Sequence, residues 1–465
     1  MSEPCAELRI VGDLTCCVPD SNSLLTPFVL REQGDWFEEE IRFVRRLVQP
    51  GMHVLDIGAN YGTYTLTMAA IVGAAGSVHS FEPAAQPIRM LKRSLATNRL
   101  AQVVTLHEAG LSNHIGTASL ATSANPELNS LTGQQSAEEE IDLTTLDEVF
   151  GGCPQRFSFI KMDAEGEEER ILEGASRFLA EQDPLIMFEL KHGSEINEGL
   201  CEAFMRRGFL IHRLLPGPQV LAPIPLGEPL DGFLLNAFAV RPNTEAELIR
   251  RGLLVPLRAA MPEAANQVRV QDVIAGMVAD PWLEGCRPDW GPDAKVPGWD
   301  EHRRAVALAR SSEAAGLDAT SRVAYLRQAS RAAYRALSQG TTGSRLFTAA
   351  RILLDLGRRA EAVPILNKLS NLVSGEDPSA TFREPFLLPD RHHEQLRGLG
   401  LRDLVTVATI ESSLWHSVFS AYFCNLEQIL PLYERASALT GASARTQRTL
   451  GLLRDRQRVQ HLVLR

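Results

Sequence analysis

The stretch Val54-Leu55-Asp56-Ile57-Gly58-Ala59-Asn60-Tyr61-Gly62-Thr63-Tyr64-Thr65-Leu66 reads as a buried strand, a glycine-bearing turn and the start of a helix. Gly58 and Gly62 permit positive φ or a close backbone approach, and the amides of the helix start can face a polar ligand. The spacing then discriminates between ligands. A dinucleotide fingerprint needs glycine at 58, 60 and 63, but Asn60 and Thr63 stand there, and the carboxylate of Asp56 ends the strand. An acid beside the turn repels a pyrophosphate and attracts the sulfonium and ammonium of S-adenosylmethionine. The turn therefore predicts a site for that methyl donor, with Asp56, Gly58, Asn60 and Gly62 as its first residues.

Working outward, strand and helix patterns alternate, the signature of a parallel sheet covered on both faces. Strands are predicted at 53–57, 77–82, 103–108, 157–163, 184–190, 208–214 and 233–240, with helices near 63–72, 85–98, 167–180 and 195–206. The expected fold is α/β, a Rossmann-like seven-stranded class I methyltransferase sheet over 46–243 followed by an all-α C-terminal domain over 301–465. Residues 1–45 are expected to form an N-terminal cover, because Trp36 to Val44 has helical spacing. Residues 244–300 are expected to supply a helix and a linker rich in Pro, Gly and Trp. In the helical half, Leu346, Ala349, Ala350, Leu353 and Leu354 share one face, Gly357 breaks the helix, and Ala362, Ile365, Leu366 and Leu369 define the next. That pattern resembles one tetratricopeptide unit.

Composition narrows the function. Hydrophobic residues make up 45% and charged residues 22% of the 465 residues, which is globular. No apolar run reaches membrane-spanning length and the N-terminus carries no secretory pattern, so a cytoplasmic location is expected. The seven cysteines contain no Cys-x-x-Cys pair, and no metal cluster is read from the sequence. Residues 301–465 hold 23 Lys or Arg against 15 Asp or Glu, a charge of +8, so the first 300 residues carry −18 of the total −10. Such an acidic sheet half is a poor match for nucleic acid and meets no penalty with a neutral hydroxylated substrate.

The remaining candidates fall at strand ends, where ligands of open α/β sheets bind. Glu82 follows the second strand some twenty residues beyond the turn, where an acid can accept hydrogen bonds from both ribose hydroxyls. Asp163 ends the fourth strand and is expected to face the methyl-transfer centre. Glu189 and His192 end the fifth. Methyl transfer to a hydroxyl releases a proton, which a positioned carboxylate or histidine can take; Asp163, Glu189 and His192 are the candidates, undecided among themselves.

Together these residues resemble the FkbM-type family of S-adenosylmethionine-dependent methyltransferases over about residues 18–242. The resemblance is carried by Asp56 to Thr65, by Phe81-Glu82-Pro83, by Leu143-Thr144-Thr145-Leu146-Asp147, and most specifically by Ile160-Lys161-Met162-Asp163-Ala164-Glu165-Gly166 with Glu168, Leu172, Gly174 and Ala175. It implies O-methylation of a hydroxyl, often on a saccharide or saccharide-bearing conjugate. Met162 and Ala164 stand where the family usually has branched aliphatics, and Lys191 separates the acid from His192. The helical half lies outside the resemblance and suggests recruitment of a protein partner. A catalytically silent cofactor-binding scaffold is the alternative.

Overall fold

The computed structural model describes residues 4–122, 137–192, 195–224, 229–256, 268–278, 296–373, 378–391 and 394–463. Two compact units divide the chain: Met1–Leu214 with Pro223–Leu226 and Leu234–Arg251, and Leu215–Ala222 with Gly227–Phe233 and Gly252–Arg465.

The first unit opens on a hairpin, β1 (Cys5–Ile10) and β2 (Leu14–Pro19), paired antiparallel. Gly12 and Asp13 both take positive φ in its turn, the conformation that tight hairpins require. The expected N-terminal cover is thus part strand; its helices are α1 (Leu25–Gln33) and α2 (Glu40–Leu47). On α2, Ile41, Phe43, Val44 and Leu47 are buried, and the Phe43 ring meets Phe238 edge-on at 5.4 Å.

The α/β core follows as β3 (His53–Ile57), α3 (Thr63–Val72), β4 (Ser77–Phe81), α4 (Ala85–Thr97) and β5 (Val104–His107). A small sheet is then inserted, with β6 (Gly110–Leu111) and β7 (Gly116–Thr122) flanking β8 (Ala137–Thr144). After it come α5 (Leu146–Phe150), β9 (Phe157–Met162), α6 (Glu168–Glu173), α7 (Ser176–Glu181), β10 (Leu185–Glu189), β11 (Lys191–His192), β12 (Glu195–Ile196), α8 (Glu198–Arg206) and β13 (Leu210–Leu215). The remaining elements around the sheet are β14 (Val220–Pro223), β15 (Asn236–Val240) and α9 (Pro242–Arg250).

All seven expected strands form, and β14 adds an eighth, in the order β14-β13-β15-β10-β9-β3-β4-β5. The strands from β10 to β5 run parallel, whereas β15 is antiparallel to β10 and β13. Chain order reverses beside β3, which has β4 on one side and β9 on the other. The carboxyl ends of β3 and β9 therefore flank the crevice where such sheets bind ligands.

Two motif segments serve this frame. Thr145 caps α5 by accepting from the Glu148 amide at 3.0 Å, and the Asp147 carboxylate accepts from the amides of Arg177 and Phe178 at the start of α7. The helix expected over 167–180 is broken in two at Gly174, where the chain at Ser112 passes so close that a Cβ would lie 2.2 Å from the Ser112 carbonyl oxygen.

The second unit is helical: α10 (Val270–Val278), α11 (Trp299–Ser311), α12 (Ala319–Ser338), α13 (Gly343–Asp355), α14 (Arg359–Val373), α15 (Leu401–Ser417), α16 (Leu426–Ser437) and α17 (Ala444–Val463). The expected break at Gly357 separates α13 from α14, with Gly357 at φ +67. Most of the linker expected at 280–300 lies outside the described residues. The unit also takes in two segments from within 46–243. Leu215, Val220 and Ala222 share a core with Val255, Ala319 and Val323, and Asp231 accepts from the Ala360 amide at 2.9 Å at the start of α14. Among the described residues, no helix is long and apolar enough to cross a membrane.

Candidate functional site

The turn after β3 is left-handed at three positions, with φ +74 at Gly58, +47 at Asn60 and +90 at Gly62. Gly58 is required by the chain itself: a Cβ there would lie 1.8 Å from the Asp163 carbonyl oxygen, so the turn and the β9 strand end pass backbone to backbone. At Gly62 a Cβ would meet Leu91 Cδ1 at 2.4 Å. Asn60 tolerates its positive φ as asparagine can. Its amide donates to Glu82 Oε2 at 2.8 Å, so the ends of β3 and β4 are tied together.

Glu82 also accepts from the Ala84 amide through Oε1 at 2.9 Å. Each of its oxygens thus holds one backbone donor and keeps an acceptor lone pair. Burial pushes this carboxyl up to about 7, against the opposing effect of the Ala84 and Asn60 amides.

Asp56 is fully enclosed. Its Oδ2 accepts from Thr65 Oγ1 at 2.5 Å, and Thr65 in turn lies 2.8 Å from Ser80 Oγ. Its Oδ1 is 4.0 Å from the Lys161 ammonium and has no hydrogen bond. Burial raises the Asp56 carboxyl, while Lys161 and Thr65 act against that shift.

Asp163, one residue past β9, is 30% exposed at its side chain and receives Lys161 Nζ at 2.9 Å on Oδ2. Glu189, the last residue of β10, hydrogen-bonds Asp163; burial and the charges of Asp163, Glu165 and Glu168 push it up to about 11. Oxygens of Asp163, Glu165 and Glu189 lie within 4.8 Å of one another, among the described residues the one acidic group close enough to share a cation. The side chain of His192 lies outside the described residues.

Three participants gave no signal as site residues in the sequence. Lys161 is one, with its ammonium donating to the Gly58 carbonyl at 3.0 Å. Tyr64 and Glu38 are the others, joined by a 2.6 Å hydrogen bond from the phenol to the carboxylate. Burial and the Asp163 charge raise Glu38. Lys161 was detectable in principle as the single charge inside the apolar run Phe157 to Met162; Glu38 lies outside every strand-end motif. Glu168 accepts from the Ala164 amide at 2.8 Å and so holds the loop after β9.

Among the described side chains, the strand ends thus combine a left-handed turn, paired backbone amides at Glu82, an excess of carboxyls over one ammonium, and two buried acceptors without hydrogen bonds, Asp56 Oδ1 and Asn60 Oδ1. Unsatisfied buried acceptors and net negative charge fit a ligand that brings donors and positive charge, as S-adenosylmethionine does with its ammonium, sulfonium and ribose hydroxyls. Sheet order, antiparallel β15 and this turn define a class I S-adenosylmethionine-dependent methyltransferase. More particularly, residues 56–211 match the model of the Methyltransferase FkbM domain, and the methyl donor is S-adenosylmethionine.

Solved structures similar to the chain include the FkbM methyltransferase of Methylobacillus flagellatus, at 18% identity and TM-score 0.29, covering 43% of this chain and 50% of that one. Fibrillarin of Aeropyrum pernix with natively bound S-adenosylmethionine is 15% identical, with TM-score 0.25 and coverage of 42% and 67%. An S-adenosylmethionine-dependent O-methyltransferase of Thermotoga maritima is 12% identical, with TM-score 0.27 and coverage of 51% and 78%. No curated protein matches the chain.

Proposed function

We propose that the enzyme methylates a hydroxyl oxygen of a saccharide or saccharide-bearing conjugate, with Asp163 as the base. The observation that carries this reading is the Lys161–Asp163–Glu189 arrangement at the crevice. Glu189, pushed up to about 11, holds its proton at neutral pH and is the donor in its hydrogen bond to Asp163. Asp163 is then the acceptor of the pair, with the Lys161 ammonium 2.9 Å from its Oδ2. A carboxylate with one oxygen on Lys161 retains lone pairs for an acceptor hydroxyl.

The bound donor supplies an electrophilic methyl group on sulfur. The chain's own part is to hold the ribose at Glu82, to set the turn through Asn60 and Gly58, and to keep Asp163 within reach of the acceptor proton. Positioning the acceptor in line with the methyl group supplies much of the acceleration. Glu189 orients Asp163 in this scheme, and His192 stays a second candidate base on its sequence position alone. The resemblance to FkbM-type enzymes supports oxygen and a saccharide as acceptor. The helical unit, with an excess of Lys and Arg over its acids, is assigned to partner recruitment.

Incubation with tritiated-methyl S-adenosylmethionine and fractionated cell extract, alongside Asp163→Asn, tests the proposal. Label in a polysaccharide or glycoconjugate fraction that vanishes in the variant is the expected result. Label confined to protein or nucleic acid would overturn the saccharide assignment. An unlabelled extract with donor binding intact would favour the silent scaffold.

A further inference from the structure

We propose that Lys161 is a positioning residue whose buried ammonium locks the cofactor turn to the end of β9 and sets Asp163 for methyl transfer. This rests on the methyltransferase reading and assigns a residue that the strand-end motifs leave without a role. Lys161 is the penultimate residue of β9, opposite Asp56 on β3 in the parallel register, and its side chain is 6% exposed. From there its ammonium reaches three things: the Gly58 carbonyl at 3.0 Å, Asp163 Oδ2 at 2.9 Å and Asp56 Oδ1 at 4.0 Å.

Those three belong to different parts of the site. Gly58 is in the turn, Asp56 ends the strand that enters it, and Asp163 ends the neighbouring strand. Two short contacts from one ammonium, to the Gly58 carbonyl and to Asp163 Oδ2, together with its charge beside Asp56, therefore fix the relative position of turn and base. The fit leaves no slack, since the Gly58 and Asp163 backbones already touch at the distance that excludes a Cβ.

Charge points the same way. The carboxyls near the ammonium come from every side: Asp56 on β3, Glu38 before α2, Asp163 after β9, and beyond it Glu189 on β10, Glu165 in the next loop and Glu168 at the start of α6; the Tyr64 ring from α3 lies 5.5 Å away. Asp56, Glu38 and Glu82 all feel Lys161 as their favourable cation. Although burial opposes its charge, Asp163 and Asp56 hold the ammonium above the usual lysine range. A buried cation this tightly held does not act as a proton donor, which leaves positioning as its task.

The test compares full-length wild type, Lys161→Met and Lys161→Arg for binding of S-adenosylmethionine and S-adenosylhomocysteine by calorimetry between pH 5 and 9, with circular dichroism as the check on folding. Lys161→Met is expected to bind S-adenosylmethionine at least roughly tenfold more weakly at pH 7.5, and the acid limb of its affinity profile should move up by about one pH unit, because carboxyls without their cation take up protons sooner. Lys161→Arg, which keeps the charge, should restore the position of that limb. A residue that only fills space would give equal losses in both variants and an unmoved limb, and that result overturns the proposal. Should Lys161→Met fail to fold, Lys161→Gln takes its place: an acid limb moved up from that of the wild type and restored in Lys161→Arg supports the assignment, and an unmoved limb refutes it. Failure of the wild type to bind either nucleoside would instead overturn the methyltransferase reading.

Discussion

Buried charge is handled in opposite ways by the two units. In the helical unit, Arg345 is 1% exposed at its side chain and meets both oxygens of Glu384, while its remaining donors go to the carbonyls of Ala336, Gly340 and Pro297. Arg351 and Arg391 likewise close on Asp355 and Glu313. Every one of these acids faces a guanidinium. Around the strand ends of the sheet unit and the start of α2, Asp56, Asp163 and Glu38 share one ammonium among the described side chains, that of Lys161, and the carboxyls of Glu40, Glu82 and Glu189 are all raised. Paired buried charge specifies a fold, whereas unmatched buried charge with displaced titration marks a place prepared for a ligand.

The largest effect separating the two should come from Asp163→Asn. Loss of a general base typically costs roughly 10²–10⁴-fold in rate, and because the asparagine oxygen can still accept from Lys161, with Asp56 remaining as its anion, thermal unfolding should shift far less. Labelled methyl transfer and a melting curve on the same sample measure both. A large drop in melting temperature with residual transfer would make Asp163 a structural residue like those of the helical unit.

Arg345→Met is the mirror experiment. Removing one partner of a buried ion pair leaves Glu384 uncompensated and costs about 3–5 kcal/mol, read as a lowered denaturant midpoint. Binding of S-adenosylmethionine below that midpoint should be unchanged. If donor affinity fell with stability, the helical unit would be contributing to the site directly.

The sheet unit should also carry a pH signature. Glu40 is pushed up to about 8 by burial and the nearby Glu38 charge, and Glu82 to about 7, from an ordinary value of 4.5. A carboxyl raised in this way binds its proton more tightly folded than unfolded. Its stabilising contribution is therefore present below the unfolded value and is lost as pH rises from about 5 through 7 and 8, with a limiting slope of about 1.4 kcal/mol per pH unit for each such proton. Denaturant midpoints should fall across that window. In Glu40→Gln, which has no proton to lose there, the decline should be shallower; parallel curves for variant and wild type would remove Glu40 from the account.

The parts legible in the sequence were those fixed by local chemistry. Val54 to Leu66 announced strand, turn and helix because apolar residues, Asp56 and two glycines each had a local reason to be there. Glu82 and Asp163 followed from strand-end position. What stayed hidden depended on distant neighbours. Gly58 was read as room for a ligand, and much of its constraint is the Asp163 backbone. Gly174 has to be glycine because Ser112 lies against it. Lys161 looked like an ordinary strand residue until the β3–β9 register set it opposite Asp56. The segments 215–222 and 227–233 read as sheet connections, yet Leu215 and Val220 find their apolar partners, Ala319 and Val323, a hundred residues later. The hairpin of β1 and β2 is a different case: Gly12-Asp13 between two short runs was a local signal that went unused.

The smallest predicted effect sharpens the distinction between motif and mechanism. Asp147 belongs to the family-like segment Leu143 to Asp147, but its carboxylate is spent on the Arg177 and Phe178 amides at the start of α7, 3.0 and 2.7 Å away. Asp147→Ala should therefore behave as the loss of a helix cap, lowering stability by about 1 kcal/mol with no change in donor affinity or labelled transfer. A drop in transfer beyond what the lost stability explains would show that α7 and the α5 turn feed into the crevice. Membership in a recognisable motif would then have tracked function, where the hydrogen bonds of Asp147 assign it to the frame that holds β9 and Asp163 in place.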